Sequence, residues 1–111
     1  MSRWNEVEQE IARLVESGAA LYTVSGEKNK IVGYEPGDHV VVTTKKGTGD
    51  ISIEHIRTHW HTLEQRRRVR LRDLLCPGNR SAFIGALFRR IPGVEVEGER
   101  PTYLVLGDPP A

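Results

Sequence analysis

The sequence predicts an α+β fold in which an N-terminal helix and a small antiparallel β-meander pack on a C-terminal unit of three helices and a β-hairpin. Apolar residues first recur at helical spacing, the period shortens to that of strands between Leu21 and Thr44, and helical spacing returns from Ile53. A chain of 111 residues is long enough for one modest core and short for two. We therefore expect one compact unit made of residues 1–50 and 51–107, with a linker at 108–111.

The first predicted element is an amphipathic helix. Ser2 stands at the expected N-cap position, and Ser17 and Gly18 stand where the helix should stop. The opposite face of this helix is solvated and rich in glutamate. Its apolar stripe consists of Trp4, Val7, Ile11, Leu14 and Val15.

Three short strands are predicted next, because Val, Ile, Thr and Tyr are concentrated there. They are Leu21–Val24, Ile31–Tyr34 and His39–Thr44, and turn-forming residues occupy 26–29, 35–38 and 46–50. Three short strands are too few to be stable alone. The meander should therefore pack against a neighbouring helix.

The second half begins with a helix that Ser52 can cap. Its apolar stripe consists of Ile53, Ile56, Trp60 and Leu63. A short helix over Leu71–Leu75 should end at Cys76, because Pro77 disfavours helix in the residue before it. A further helix, capped by Asn79, is predicted over Arg80–Ile91.

The chain then alternates over Val94–Glu97 and returns over Thr102–Leu106, which predicts a hairpin. The order helix, short helix, turn, helix, hairpin is that of a winged helix, a helix-turn-helix with an appended β-hairpin. In this interpretation the helix over Arg80–Ile91 is the recognition helix.

Charge is distributed unevenly, although the net charge is only +1. Between Arg57 and Arg90 there are nine arginines and two acidic residues, a net charge of +7, whereas residues 1–50 carry −2. Arginine suits bidentate contacts to phosphate and guanine. We therefore expect double-stranded DNA as the partner, and structured RNA shares the same electrostatics. The candidate DNA-contacting residues are Arg66, Arg67, Arg68, Arg70, Arg80, Ser81, Gly85, Arg89 and Arg100.

Two of these assignments have structural alternatives. The arginine run at 66–70 fits the place where a helix-turn-helix meets the phosphate backbone, but charge runs are commonly only solvated turns. Gly85, with Ser81 one turn earlier, indicates that something approaches the helix backbone closely, either a DNA groove wall or another helix. At the wing tip, Glu97 and Glu99 leave only Arg100 suited to a phosphate contact.

No catalytic constellation is apparent, so we expect a binding domain and neither an enzyme nor a cofactor. His55 and His59 share a helix face, but no His-Glu-x-x-His motif is present, and we expect no metal site. Cys76 fits a buried turn residue better than a nucleophile. No signal peptide or membrane-spanning run is apparent, and one cysteine cannot form an internal disulfide, so we expect a cytoplasmic protein.

Between Leu21 and Val94 the chain resembles modules attached to prokaryotic restriction endonucleases, including HNH nucleases that act on modified DNA. The resemblance rests on the spacing of apolar residues and on Pro77-Gly78-Asn79-Arg80-Ser81-Ala82. It implies a DNA-recognition or targeting module with the nuclease in a separate domain, and it carries over no catalytic residue.

The alternative is a protein-docking or dimerisation module, because fold does not settle function. The acidic face of the first helix could then complement a basic face of a second copy. Whether the arginines gather on one surface or disperse into ion pairs distinguishes the two interpretations.

Overall fold

The computed structural model describes residues 2–74, 81–99 and 101–107, and within them the chain is an α+β fold with three α-helices and antiparallel sheets. Helix α1 spans Trp4–Ser17, as predicted. The predicted N-cap was wrong by one residue, because Arg3 occupies that position, although the Ser2 hydroxyl still accepts the backbone N–H of Trp4 at 3.2 Å. Gly18 ends the helix in the left-handed conformation, which glycine adopts without a steric cost.

The meander has four strands, so the prediction of three was wrong. They are β1 (Leu21–Tyr22), β2 (Lys28–Glu35), β3 (His39–Thr44) and β4 (Gly47–Ser52), and they are hydrogen-bonded in that order. The predicted turn at 46–50 is mostly β4, because only residues 45 and 46 turn and Thr44 pairs with Gly47. Glycine and aspartate disfavour strands, but here they pair with a valine-rich neighbour.

Helix α2 spans Ile53–Arg66, and Ser52 caps it as predicted by accepting the backbone N–H of Glu54 at 3.2 Å. The next segment differs from the prediction. Arg68–Arg70 forms strand β5, and Leu71–Asp73 forms a single 3-10 turn, η1, in place of an α-helix. The predicted continuation at Leu75, the turn at Cys76 and the cap at Asn79 lie outside the described residues.

Helix α3 spans Ser81–Phe88, so the predicted end at Ile91 was wrong by three residues, which form a turn. It is followed by the predicted hairpin, whose strands are β6 (Val94–Glu97) and β7 (Tyr103–Leu106). Strand β5 joins this hairpin, giving a sheet of order β5, β7, β6 in which Val69 lies opposite Leu104. The linker predicted at 108–111 lies outside the described residues.

Buried side chains from both halves of the chain form one hydrophobic cluster. Trp60 lies within it, with its ring edge-on to that of Phe88 at a centroid separation of 5.1 Å. Helix α3 contacts α1, β1 and η1, so the N-terminal elements cover it. None of the helices in the described ranges is long and apolar enough to span a membrane.

Candidate functional site

The arginine run 66–70 passes from a helix into a strand. Arg66 is the last residue of α2, and Arg67 caps the helix in the left-handed conformation, with a φ of 63° and its N–H donating to Leu63 at 2.8 Å. The chain then enters β5, where Arg68 and Arg70 share the outer face and the intervening valine points into the core. The run is therefore not the turn between two helices that its sequence predicted.

A cleft of about 670 Å³ lies where α2 meets β5. Helix α2 lines one side of it with Thr58, Thr62 and Arg66, which are spaced one helical turn apart, and with His59. Its other sides are lined by residues of β5, of β7 and of the end of η1 with the residue after it: Arg68, Val69, Arg70, Asp73, Leu74 and Tyr103. Three arginines thus line one concave surface, which we call the arginine cleft.

Arg68 is held in place by two neighbours on the C-terminal sheet. Its guanidinium carbon lies 4.0 Å from the centre of the Tyr103 ring, and its Nη2 forms an ion pair with Glu97 at 3.1 Å. Both partners of the ion pair are more than half exposed, so the pair contributes little to stability. Glu97 on β6 therefore neutralises part of the positive charge of Arg68 without fixing it strongly in place.

Arg66 and Arg70 form no ion pair with any other residue in 2–74, 81–99 or 101–107. Arg57, Arg72 and Arg89 are likewise without an ion pair to the described residues, whereas Arg3, Arg13, Arg68 and Arg90 are paired, and Arg90 donates to Glu10 at 3.0 Å. Burial raises the pKa of Glu10, but hydrogen bonds from Arg13 and Arg90 outweigh this effect and the pKa is lowered. Arg66 and Arg70 differ from the other arginines without an ion pair to the described residues because they line the cleft.

The proposed recognition role of α3 does not fit its burial. Residues 83–88 are all buried, whereas Ala82, Arg89 and Arg90 are exposed. A Cβ at Gly85 would collide with the Leu71 side chain, so the close approach predicted for this glycine is made by η1 and not by a DNA groove. A helix covered on nearly all sides cannot enter a major groove.

The remaining candidates are less informative. Arg89 is exposed at the end of α3, where its N–H donates to Gly85, and it does not line the arginine cleft. Arg80, Arg100 and the side chain of Ser81 lie outside the described part of the structure.

No group of three or more His, Cys, Asp or Glu residues is placed to hold a metal ion within the described part of the chain. A second cleft, of about 760 Å³, lies beside the N-terminus and is lined by Glu64 and Arg67 among others. The Glu64 carboxylate already accepts the Ser2 hydroxyl at 2.8 Å and the Arg3 N–H at 2.7 Å. Glu64 therefore connects α2 to the residues at the start of α1.

Sequence reasoning missed Thr58, Thr62, Asp73 and Tyr103. The first two could have been found, because they fall on the face of α2 opposite its apolar stripe and lead towards Arg66. Tyr103 could not have been found from the sequence, because it lies opposite Arg70 only through the pairing of β5 with β7, which are far apart in the chain.

Comparisons with known proteins add no assignment. No protein-family model, no curated protein sequence and no solved structure matches this chain.

Proposed function

We propose that this chain is a non-catalytic DNA-binding module that holds the phosphate backbone of a duplex at the arginine cleft. The observation that carries the proposal is the convergence of Arg66, Arg68 and Arg70 on one concave surface, with Arg66 and Arg70 unpaired among the described residues. Guanidinium groups bind phosphate oxygens in bidentate geometry. An arginine that no carboxylate neutralises keeps its full charge for such a contact.

The winged-helix interpretation is supported by the order α2, β5, η1, α3, β6, β7 and by the sheet order β5, β7, β6. The strand between the helices joins the returning strand of the hairpin, so helices and wing form one unit. Because α3 is buried, the proposal assigns DNA contact to the end of α2 and to β5.

Phosphate contacts position a protein on DNA without reading sequence. A module of this kind serves to bring an attached activity to DNA. The link to restriction endonucleases rests on the sequence resemblance alone, and in that setting the chain would target a nuclease carried by a separate domain in the cytoplasm.

The proposal is tested by fluorescence-polarisation titration of a labelled duplex of about 20 base pairs at several salt concentrations. The wild type should bind at about micromolar Kd, with an affinity that falls steeply as salt rises. The double variant Arg66→Ala/Arg70→Ala should bind at least about tenfold more weakly and reduce the salt slope by about 2, because two phosphate contacts are lost.

Arg57→Ala/Arg89→Ala is the matched control, because both arginines are exposed but neither lines the cleft. It removes two positive charges, as the test variant does, and should keep the wild-type salt slope. Absence of wild-type binding at low salt, or an equal loss in the control, would contradict the proposal.

A second candidate function is self-association, and one observation favours it. Tyr22, Val24 and Val32 are the exposed large hydrophobic residues of the described chain, and all three lie along β1 and β2 or the turn between them. Lys28 and Lys30 flank them, so the acidic face of α1 in a second copy is the complementary partner. Light scattering at increasing protein concentration would show a dimer, and Tyr22→Ser should abolish it.

A further inference from the structure

The meander carries all the lysines of the chain at one of its ends. They occupy two short segments, with Lys28 and Lys30 at the start of β2 and Lys45 and Lys46 in the turn between β3 and β4. Antiparallel pairing brings the two segments together, because Lys30 lies opposite Thr43 and the turn begins two residues after that threonine. We call these four residues the lysine end.

The charge of the lysine end is not cancelled within the described structure. All four side chains are exposed, and none forms an ion pair with a residue in 2–74, 81–99 or 101–107. Most acids of the meander lie elsewhere, since the charges of Glu35, Asp38 and Asp50 act on His39 at the opposite end of β3. Glu27 adjoins the lysine end, which therefore keeps most of its positive charge.

The turn that carries two of the lysines is held by its own backbone and by a threonine. The Thr44 hydroxyl accepts the backbone N–H of Lys46 at 3.2 Å and donates to the backbone oxygen of Gly47 at 3.4 Å. The amines of Lys45 and Lys46 take no part in these hydrogen bonds. Their replacement by a neutral side chain should therefore leave the turn intact.

Lys30 differs from the other three lysines because it reaches a helix end. Its Nζ lies 3.8 Å from the point where a Cβ at Gly18 would stand, and Gly18 ends α1. A cation near the carbonyl groups of a helix C-terminus stabilises the helix. Lys30 therefore has a structural role, and the variants below leave it unchanged.

The chemistry of the lysine end fits a polyanion. Lysine binds phosphate as a point charge, without the fixed geometry that arginine imposes. Between the two lysine segments the sheet presents only short polar groups, since Thr43 lies opposite both Lys30 and Thr48 and the two threonine hydroxyls are 2.9 Å apart. A nucleic-acid backbone repeats its negative charge at short intervals and needs no matched geometry to gain from such a surface.

We infer that the lysine end is a second surface for the phosphate backbone of DNA, separate from the arginine cleft, an inference that rests on the proposed DNA-binding function. The two surfaces share no residue, so their contributions to binding should add. Contacts to phosphates carry no sequence information. The lysine end therefore raises the affinity for DNA of any sequence.

The experiment measures binding of a labelled duplex of about 20 base pairs by fluorescence polarisation at several salt concentrations. Lys28→Gln/Lys45→Gln/Lys46→Gln should bind at least about tenfold more weakly than the wild type at low salt and reduce the salt slope by about 3, because three phosphate contacts are lost. Adding Arg66→Ala/Arg70→Ala to this variant should reduce the slope by about 5 in total. Circular dichroism melting establishes that the variants are folded.

Arg57→Gln/Arg72→Gln/Arg89→Gln is the matched control. It also removes three positive charges, and its arginines are exposed, form no ion pair with the described residues and line neither surface. This control should keep the wild-type salt slope. An equal loss in the control would show that net charge is responsible and would overturn the inference.

A wild-type salt slope in the lysine variant overturns the inference and leaves the proposed function standing. If that variant keeps DNA binding but loses a dimer seen by light scattering, the partner of the lysine end is a second copy and the inference is likewise overturned. A loss in the lysine variant with none in Arg66→Ala/Arg70→Ala supports the inference and contradicts the arginine cleft as a binding site. If the wild type does not bind at low salt, the proposed function and the inference fail together.

Discussion

The guanidinium of Arg68 lies 4.0 Å from the centre of the Tyr103 ring and is tied at its edge to Glu97. The contact joins the first strand of the C-terminal sheet to the hairpin, and it sets one rim of the arginine cleft. The Glu97 carboxylate on β6 thereby neutralises Arg68, one of the three arginines that line the cleft.

We expect Glu97→Gln to tighten binding of duplex DNA about three- to fivefold at low salt, because removing the carboxylate leaves Arg68 free to bind a phosphate. The melting temperature should change little, since an ion pair this exposed contributes about 0–1 kcal/mol. Fluorescence polarisation and thermal melting measure the two quantities.

Glu95→Gln is the matched control for that variant. It removes an equal charge from an exposed position two residues away on β6, but Glu95 forms no ion pair with Arg68. If both variants tighten binding equally, net charge is responsible and the specific role of the Arg68–Glu97 pair is wrong.

A double-mutant cycle tests the packing of Leu71 on Gly85. In the wild type Gly85→Ala should be destabilising by about 1 kcal/mol, because crowding of the Leu71 methyl group outweighs the gain in helix propensity. In a Leu71→Ala background the same change should be stabilising by about 1 kcal/mol, because only the propensity gain remains. Urea unfolding measures all four proteins, and an identical effect of Gly85→Ala in both backgrounds would show that the two residues do not interact.

Stability should depend on the protonation of His39. The hydrogen bond to Asp38 at 2.7 Å, opposed by slight desolvation and aided by the charges of Asp50 and Glu35, raises the pKa of His39 above its ordinary value. A pKa raised in the folded state stabilises fully below the unfolded value of about 6.5, and this stabilisation is lost as the pH rises through the folded pKa. His39→Gln should therefore lower the melting temperature more at pH 6 than at pH 8.5, whereas a pH-independent difference would rule out a protonation effect.

The N-cap of α2 gives a prediction about stability alone. Ser52→Ala should lower the free energy of unfolding by about 1 kcal/mol, because the Glu54 N–H loses its acceptor. Ser52→Asp offers an equivalent acceptor and should keep the wild-type stability. Equal losses in the two variants, measured by urea unfolding, would show that the hydroxyl does not stabilise the helix.

Much of the local structure was predictable because it depends on neighbours along the chain. The stripe from Trp4 to Leu14 and the capping of α2 by Ser52 follow from helical period and cap chemistry, and both are found where they were predicted. The hairpin of β6 and β7 follows from alternation around a turn. The concentration of arginine in the second half is likewise a property of composition.

Other features were decided by pairing between distant segments. Residues 47–50 carry glycine and aspartate, so nothing local indicates a strand, yet β3 supplies partners for all of them. Arg68 and Arg70 have the charge of an exposed turn, and only the pairing of their strand with β7 places them on one face above Tyr103. The alternation of buried and exposed side chains that marks a strand cannot be recognised in a segment as short as β5, which has three residues.

The sequence by itself determined the class of fold, the end of α1 at Gly18, the start of α2 at Ser52 and the excess of positive charge, because periodicity, capping and composition act locally. Only the tertiary structure decided that α3 is buried beneath α1 and β1, that Gly85 accommodates Leu71, and that Arg66, Arg68 and Arg70 line one cleft. These relationships depend on which faces meet when segments far apart in the chain pack together, and the hydrophobic effect that drives the packing has no direction of its own.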